Sequence, residues 1–319
     1  MLKLKPKAKR RGGDIYLLGA VVLLSLIGCV FIYSASSYSA ESTYGDAFYF
    51  VKKQAIGIAL GIVAMLFTAN FHYEKLKKIA WFFAIAAVIL LALVFVPFLG
   101  VENYGAKRWI GIGSLTIQPS EIAKIAVVLF FSSMICTYKE QMQTFRYGVV
   151  PFMVVTVIIV GLLMLEPHLS ASIIIMALAI VMMFVGGIKL SYLLVGMGSA
   201  GALLLIASKF VPYVHKRIVS WRDPFADTSA AGYQIVQSLY SIGSGGFLGL
   251  GLGQSRQKYL YLPEEHNDYI FSIVCEELGY VGAIAILILF ALLICRGYWI
   301  AAHSPDRYSF LVGIGITTL

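Results

Sequence analysis

The chain has 319 residues, of which 60% are hydrophobic and only 13% are charged, and its formal net charge is +9. Soluble domains carry about 25% charged residues, so this composition excludes a water-soluble protein built around a single core. The positive charge is scattered over short loops between apolar blocks, which argues against nucleic-acid binding and is typical of the loop bias that orients membrane helices.

The apolar blocks are long enough to cross a bilayer, which takes about 20 residues per helix. Backbone polar groups need internal partners in hydrocarbon, so these blocks must be helices. We predict an all-α, polytopic transmembrane helical bundle, with a basic tail at 1–13 and a single transmembrane domain at 14–319. The predicted spans are, in chain order, 15–33, 50–69, 79–97, 120–137, 147–165, 169–187, 190–210, 269–295 and 308–319.

The orientation follows from the basic tail, which directly precedes the first span and is therefore cytoplasmic. Two long loops, 98–118 and 211–268, then fall on the extracytoplasmic face, the second between spans seven and eight. Loops of this length usually carry function, so we place the chemistry there. The last block is short for a span and stops at Leu319, so we expect the chain to be C-terminally incomplete.

Asp268 lies where the long loop enters the eighth span. A helix N-terminus favours its anion and partial burial favours the neutral acid, and a carboxylate between these influences suits a general base. The alternative is that Asp268 only caps the helix. Glu276 is expected on the same helical face about 12 Å deeper, with Glu277 on the opposite side. Packing and function are equally open for Glu276.

A second polar cluster follows the shorter outside loop. Lys107 and Arg108 are expected at headgroup level, either as anchors or as phosphate ligands. Pro119 suits the first turn of a helix, which would place Glu121 and Lys124 on one face as a simple ion pair. The glycine-rich segment 243–253 indicates close backbone approach or a flexible hinge.

Further cations and amides on the same outer surface suit a pyrophosphate and a sugar, not a hydrophobic solute. With the residues above, they complete the candidate substrate-binding set. The set is Lys107, Arg108, Gln118, Ser120, Glu121, Lys124, Glu166, His168, Arg217, Trp221, Arg222, Gln234, Gln237, Ser238, Lys258, His266, Asn267 and Glu276, with Asp268 as the candidate catalytic residue.

Six motifs occur in one order across residues 14–319: Gly-Ala-Lys-Arg-Trp-Ile, Gln-Pro-Ser-Glu, Arg-Ile-x-x-Trp-x-Asp-Pro-Phe, Gly-Tyr-Gln-x-x-Gln-Ser, Gly-Ser-Gly-Gly, and Leu-Pro-Glu-x-His-x-Asp-Tyr-Ile-Phe with its following Glu-Glu-Leu-Gly. This order resembles the SEDS family of bacterial peptidoglycan polymerases, which comprises FtsW, RodA and SpoVE. The segment Cys275–Gly282 is closer to the division and sporulation branch. The family has ten spans, so about nine of ten are expected here.

The resemblance implies a peptidoglycan glycosyltransferase that polymerises lipid II into β-1,4 glycan strands during cell division or sporulation. The family's essential loop aspartate falls on Asp268, as general base on the acceptor 4-hydroxyl. The leaving pyrophosphate would be held by cations or by a divalent cation, Mg or Mn, whose ligands are unknown. The family often has Asp where this chain has His168, paired with the lysine that matches Lys124. A neutral histidine cannot replace that ion pair, so either Glu166 substitutes for the Asp or the pair does not exist in this chain.

The resemblance also implies lipid II and the nascent glycan strand as substrates, a class B penicillin-binding transpeptidase and other divisome proteins as partners, and a multi-pass location in the bacterial cytoplasmic membrane. No nucleic acid is expected. Two alternatives are a lipid II flippase, suggested by intramembrane Lys124, Glu166 and Glu276, and a non-catalytic divisome scaffold. Clustering of the polar groups on one face favours the enzyme, because an alternating-access site prefers the midplane.

Overall fold

The computed structural model describes residues 13–71, 73–103, 106–112, 115–226 and 232–319, so nearly all of the predicted basic tail lies outside the described residues. The elements are α1 Ile15–Tyr44, α2 Tyr49–Asn70, α3 Tyr73–Leu93, β1 Gly100–Asn103, β2 Ala106–Ile112, β3 Leu115–Ile117, α4 Pro119–Tyr138, α5 Val150–Leu165, α6 Leu169–Val185, α7 Leu190–Phe210, α8 Pro212–Arg222, α9 Tyr233–Ser244, α10 Ile270–Ala302 and α11 Arg307–Thr318.

Membrane-spanning helices dominate the described chain. Seven helical segments are long and apolar enough to cross a bilayer, and α6 is a shorter apolar helix. On α2 no side chain of the helix is buried, and large apolar residues such as Ile56 and Leu60 are exposed. Such a surface is stable only against lipid or another apolar partner. The predicted all-α, polytopic transmembrane fold class is confirmed, and the protein is a multi-pass membrane protein.

Three local features differ from the sequence-based prediction. The helix α1 continues to Tyr44 rather than ending at 33. The outside loop 98–118 contains an antiparallel sheet in the order β1-β2-β3, because hairpin pairing satisfies the backbone of this polar segment. The long loop 211–268 contains α8 and α9, and α8 begins with proline at its first turn. Each segment is too polar for a span but still forms regular structure.

The chain divides into two compact units. Unit 1 comprises residues 1–71 and 233–296, and unit 2 comprises residues 72–232 and 297–319. The prediction of a single transmembrane domain stays a prediction.

Unit 2 holds the larger core. Its centre is α4, whose Phe130 and Phe131 are completely buried, and Phe152 of α5 meets Phe131 edge-on at 4.9 Å between ring centroids. Aromatic pairs of this geometry add about 0.5–1.5 kcal/mol beyond the burial of their area. The strands and the turn between α5 and α6 are therefore mounted on a well-packed helical core.

Unit 1 has two small apolar clusters, both of which join α1 to α10. Phe31 packs with Val274 and Ile286, and Ala35 packs with Leu262 and Ile273. The second cluster ties the loop before α10 to both helices, and so this helix pair positions the segment that contains Asp268.

Candidate active site

Asp268 is exposed and belongs to the turn segment 263–269 that leads into α10. The helix begins at Ile270, so Asp268 is not part of it. The expectation that Asp268 and Glu276 share one helical face is therefore wrong. The chain turns before the helix starts, which leaves the carboxylate of Asp268 accessible to a reactant.

The residues around Asp268 are fixed by contacts within unit 1. Glu265 is buried and accepts a hydrogen bond from Ser39 Oγ at 2.7 Å. The His266 ring lies 3.9 Å from the Phe50 ring centroid. Asn267 Nδ2 donates to Glu264 Oε2 at 2.8 Å, so the turn also has an internal clamp. Because these contacts hold the loop in place, they keep the exposed carboxylate of Asp268 in one position.

The support for this loop comes from the part of α1 beyond residue 33, where the first span was predicted to end. Ser34 and Ala35, then Tyr38 and Ser39, recur at helical spacing and all face the loop or α10. Tyr38 meets Tyr259 edge-on at 4.9 Å. Residues three and four apart share one face of a helix. This small, hydroxyl-bearing face is the sequence signal that could have revealed the extension.

Glu276 and Glu277 are both buried and both bound by protein groups. Glu276 accepts from the backbone N–H of Arg256 at 3.0 Å and from Ser241 Oγ at 3.1 Å, and also from Ser255 Oγ. Glu277 accepts from Ser34 Oγ at 2.7 Å and from the backbone N–H of Ser255 at 3.3 Å. The expectation that Glu277 points away from Glu276 is wrong, because the segment around Ser255 reaches both carboxylates. Packing is the interpretation that these contacts favour for Glu276.

The helix α10 is broken at Gly279, which has φ +65°. The carbonyls of Glu276 and Glu277 accept from the amides of Leu250 and Gly251 at 2.9 and 3.0 Å. In return, the amides of Tyr280 and Val281 donate to carbonyls of residues 246 and 247 at 3.0 and 3.3 Å. A Cβ at Gly279 would overlap the Gly249 amide. The close-approach interpretation of 243–253 is confirmed.

The remaining predicted residues of unit 1 lie at different depths. Lys258 is buried, and its ammonium donates to the carbonyl of Gly253. Gln234 and Gln237 are half-buried on α9, and the buried Ser238 donates to the carbonyl of Ile235 at 2.7 Å. The amides of α9 are therefore more accessible to a sugar than the Ser238 hydroxyl is.

In unit 2 the turn between α5 and α6 contains buried ionisable groups. The guanidinium of Arg108 donates to the backbone carbonyls of Glu166 and Pro167. Burial raises the pKa of Glu166 to about 7, although Arg108 opposes the shift. Burial also lowers the pKa of His168 to about 4, with Arg108 and Lys124 acting in the same direction. Near pH 7, His168 is therefore neutral and Glu166 is about half protonated.

Four buried side-chain atoms of this turn and of α4 have no hydrogen-bond partner among the described residues. They are both carboxylate oxygens of Glu166, Nδ1 of His168 and the hydroxyl of Ser120. An unsatisfied buried polar group costs about 1–3 kcal/mol, so such groups are commonly completed by a ligand or water. Glu121 and Lys124 form the predicted ion pair at 2.7 Å, and Pro119 begins α4 as predicted.

Other predicted residues of unit 2 are accessible. Lys107, Arg217, Trp221 and Arg222 are exposed, and Trp221 reaches 79% exposure. Gln118 is half-buried at the N-cap of α4 and makes no capping hydrogen bond through its side chain. The predicted set thus divides between the units, with Asp268 in unit 1 and most of the cations in unit 2.

No group of three His, Cys, Asp or Glu side chains in the described chain is arranged to hold a metal ion. A divalent cation bound here would need oxygens from the substrate in addition to protein groups, as Mg²⁺ commonly has. The divalent cation therefore stays a prediction.

The family model for cell cycle proteins of the FtsW/RodA/SpoVE type matches residues 15–319. Stage V sporulation protein E of Bacillus subtilis is 37% identical over 98% of this chain and 85% of its own length. A probable peptidoglycan glycosyltransferase FtsW of Trichlorobacter lovleyi is also 37% identical, over 96% of this chain and 80% of its own.

Solved structures agree with these relatives. A chain of a peptidoglycan synthase complex that coordinates polymerization and crosslinking superposes with a TM-score of 0.78 at 25% identity, covering 96% of this chain and 83% of that chain. The rod shape determining protein RodA of Thermus thermophilus has the same fold, with a TM-score of 0.65 at 24% identity over 96% of this chain and 81% of its own. From the motif order, the fold and these matches, the chain belongs to the FtsW/RodA/SpoVE family.

Proposed function

We propose that this protein is a peptidoglycan glycosyltransferase that polymerises lipid II into β-1,4 glycan strands, with Asp268 as the general base. Curated relatives named peptidoglycan glycosyltransferase FtsW, 33–37% identical to this chain, support the activity. The single observation that carries the residue assignment is the exposure of Asp268 on a loop whose neighbouring residues are held by packing and hydrogen bonds.

The reaction joins two lipid-linked sugars. Asp268 accepts the proton of the acceptor's 4-hydroxyl, and that oxygen forms a bond to the anomeric carbon of the donor. The bond from that carbon to the pyrophosphate oxygen breaks, and undecaprenyl pyrophosphate leaves with the electron pair. General-base assistance of this kind contributes about 10²–10⁴-fold in rate.

The departing pyrophosphate needs positive groups that are free to contact it. Lys107, Arg217 and Arg222 are exposed and suit this role. Arg108 and Lys258 already donate to backbone carbonyls, so they are better placed to hold loops than to follow a leaving group. A divalent cation, Mg or Mn, would add charge at the pyrophosphate when bound.

The unpartnered groups at the turn between α5 and α6 support a second substrate contact. The hydroxyl of Ser120 on α4, the neutral His168, and Glu166, which is about half protonated near pH 7, are suited to hydrogen-bond a sugar or an amide. The positive charge of Lys124 also acts on His168. The polymerase would act on the extracytoplasmic face of the bacterial cytoplasmic membrane. A class B penicillin-binding transpeptidase is the proposed partner, supported by the similarity to a complex that couples polymerization to crosslinking.

The deciding experiment uses the purified full chain with lipid II and Mg²⁺ or Mn²⁺, both alone and with its cognate transpeptidase. The parent is compared with Asp268→Asn, which is nearly isosteric but cannot accept the proton as a carboxylate does. The matched control is Glu41→Gln, which removes an exposed carboxylate from the same unit. We expect glycan strands from the parent and the control, and a loss of about 10²-fold or more from Asp268→Asn.

The rivals give different results in the same preparation. A flippase would move labelled lipid II across liposomes without forming polymer. A scaffold would complement growth fully with Asp268→Ala in place. Strands made equally well by Asp268→Asn would remove the base assignment while leaving the polymerase activity intact.

A further inference from the structure

Unit 2 contains a pocket of about 350 Å³, lined mostly by charged side chains, that the proposed reaction does not use. It lies where the start of α3, the end of α4 and the start of α11 meet. Its polar lining consists of Lys77, Lys139, Glu140, Asp306, Arg307 and Tyr308.

The three cations of this pocket lack anionic partners. In the part of the chain that the structure describes, no ion pair involves Lys77, Lys139 or Arg307. Arg307 donates one N–H to the carbonyl of Gly186 at 3.1 Å. Its other donors and both ammonium groups remain available for an anion, which would also relieve repulsion between the cations.

The two acids offset this charge only in part, because three cations line the pocket against two carboxylates. Asp306 caps α11, with Oδ1 accepting from the amides of Tyr308 and Ser309 at 2.9 and 3.0 Å and Oδ2 accepting from Ser309 Oγ at 2.7 Å. Its lone pairs are therefore largely used within the chain. Glu140 is exposed and can turn toward water.

A buried donor at the pocket points to a ligand independently of the charges. Tyr308 is 4% exposed, and its hydroxyl has no hydrogen-bond partner among the described residues. A buried hydroxyl without a partner costs about 1–3 kcal/mol. An acceptor oxygen that enters the pocket would remove this penalty.

The surface next to the pocket suits acyl chains. The helix α3 is long and apolar enough to span the membrane. One turn beyond Lys77, on the same face of α3, the side chain of Trp81 is 53% exposed. Basic pockets between transmembrane helices recognise anionic lipid headgroups in this way, with the phosphate on the cations and the chains along the helix. A free phosphate ion would gain nothing from the apolar face.

We propose that this pocket binds the phosphate of an anionic phospholipid headgroup, with Lys77, Lys139 and Arg307 contacting the phosphate oxygens and Tyr308 donating its hydroxyl. The site is distinct from the residues assigned to polymerisation. Its position among basic loop residues places it on the face that the positive-inside rule assigns to the cytoplasm.

The test measures lipid binding to the delipidated full chain in neutral detergent, by native mass spectrometry and by thermal shift. The probes are phosphatidylglycerol, phosphatidylcholine and inorganic phosphate. The variant Lys77→Gln/Lys139→Gln is compared with Lys75→Gln/Lys78→Gln, which removes the same charge from α3 at exposed positions outside the pocket. Because each basic residue contributes about 1 kcal/mol to anionic lipid binding, we expect the pocket variant to lose phosphatidylglycerol affinity by roughly tenfold or more.

The control variant should keep more of that affinity than the pocket variant, and phosphatidylcholine should bind far less tightly to the parent. Tyr308→Phe should also bind the anionic lipid several-fold more weakly. Equal losses in the two lysine variants would overturn the pocket, since general charge would then explain binding. Binding of inorganic phosphate without selectivity for phosphatidylglycerol would overturn the lipid assignment.

Discussion

Buried carboxylates occur in both units of this protein, and their surroundings are opposite. In unit 1 Glu276 and Glu277 accept hydrogen bonds from serine hydroxyls and from backbone amides of the segment 255–256. In unit 2 both oxygens of Glu166 are buried without a hydrogen-bond partner in the described chain. The first arrangement stabilises a fold, whereas the second leaves hydrogen-bonding capacity for a ligand. Burial of an acid therefore does not by itself indicate a ligand-binding site. What distinguishes such a site is whether protein groups already occupy the hydrogen-bonding capacity of the acid.

The largest effect is expected from disrupting the backbone hydrogen bonds between residues 276–281 and 246–251, next to the carboxylates of Glu276 and Glu277. Gly279→Ala places a Cβ where φ is +65° and where the Gly249 amide already lies. We expect a loss of about 4 kcal/mol or more in unfolding free energy, or failure to fold, measured by thermal unfolding in detergent. Gly243→Ala is the control, because a Cβ there meets nothing within 4 Å, and it should be neutral or stabilising.

The next largest effect on stability is expected at the buried carboxylates of Glu276 and Glu277. Glu276→Gln replaces the charged acceptor, so either the Arg256 N–H loses its acceptor or the hydroxyls of Ser241 and Ser255 must turn to accept from the new amide, and the charge-assisted hydrogen bonds become weaker neutral ones. We expect a decrease of about 3 kcal/mol in unfolding free energy. Glu41→Gln, at an exposed position, should change it by less than about 0.5 kcal/mol. Equal stability of the two variants would show that the satisfied network contributes little.

At the turn between α5 and α6, Glu166 and His168 should instead make the unfolding free energy depend on pH. Between pH about 4.5 and 7 the native Glu166 holds a proton that the unfolded chain has lost, so its contribution to stability falls as pH rises. Between pH about 6.5 and 4 the native His168 lacks a proton that the unfolded chain binds, so its contribution falls as pH drops. The two slopes oppose each other where they overlap.

Single substitutions separate the two slopes. Relative to the parent, Glu166→Gln should lose stability as pH falls from about 7 to 4.5, by up to about 3 kcal/mol. Relative to the parent, His168→Gln should lose stability in the other direction, as pH rises from about 4 to 6.5. Unfolding free energies from denaturant titrations across this range provide the measurement. Parallel pH profiles for parent and variants would contradict burial of these groups in their neutral forms.

The smallest effect tests the support of the candidate base. Ser39→Ala removes one hydrogen bond to the buried Glu265, for a loss of about 1 kcal/mol in stability. Because Glu265 lies three residues before Asp268, we expect kcat for glycan synthesis to fall several-fold with little change in KM. Ser39→Thr keeps the hydroxyl and should restore kcat. Ser42→Ala, on the exposed side of α1, should leave it unchanged.

Hydropathy predicted the spans because long apolar runs have one stable form in a bilayer. It ended α1 at 33 because the polar extension carries no hydropathy signal, and only contacts such as Ser39 with Glu265 require it to be helical. The break at Gly279 likewise depends on a partner segment elsewhere in the chain. Helical spacing alone put Glu277 on the wrong side because it could not show that the segment around Ser255 bonds both carboxylates. The motif resemblance pointed to Asp268, which no local pattern could have separated from an ordinary helix cap.

The exchange of hydrogen bonds at Gly279 has a consequence for how this region opens. Amides of Leu250, Gly251, Tyr280 and Val281 are each held by the opposite segment, so neither segment can detach alone. These four sites should form one cooperative unfolding element, exchanging hydrogen for deuterium with a common opening free energy. The loop that leads to the candidate base is thereby anchored to an element that opens as a whole, which keeps local fraying away from the reaction.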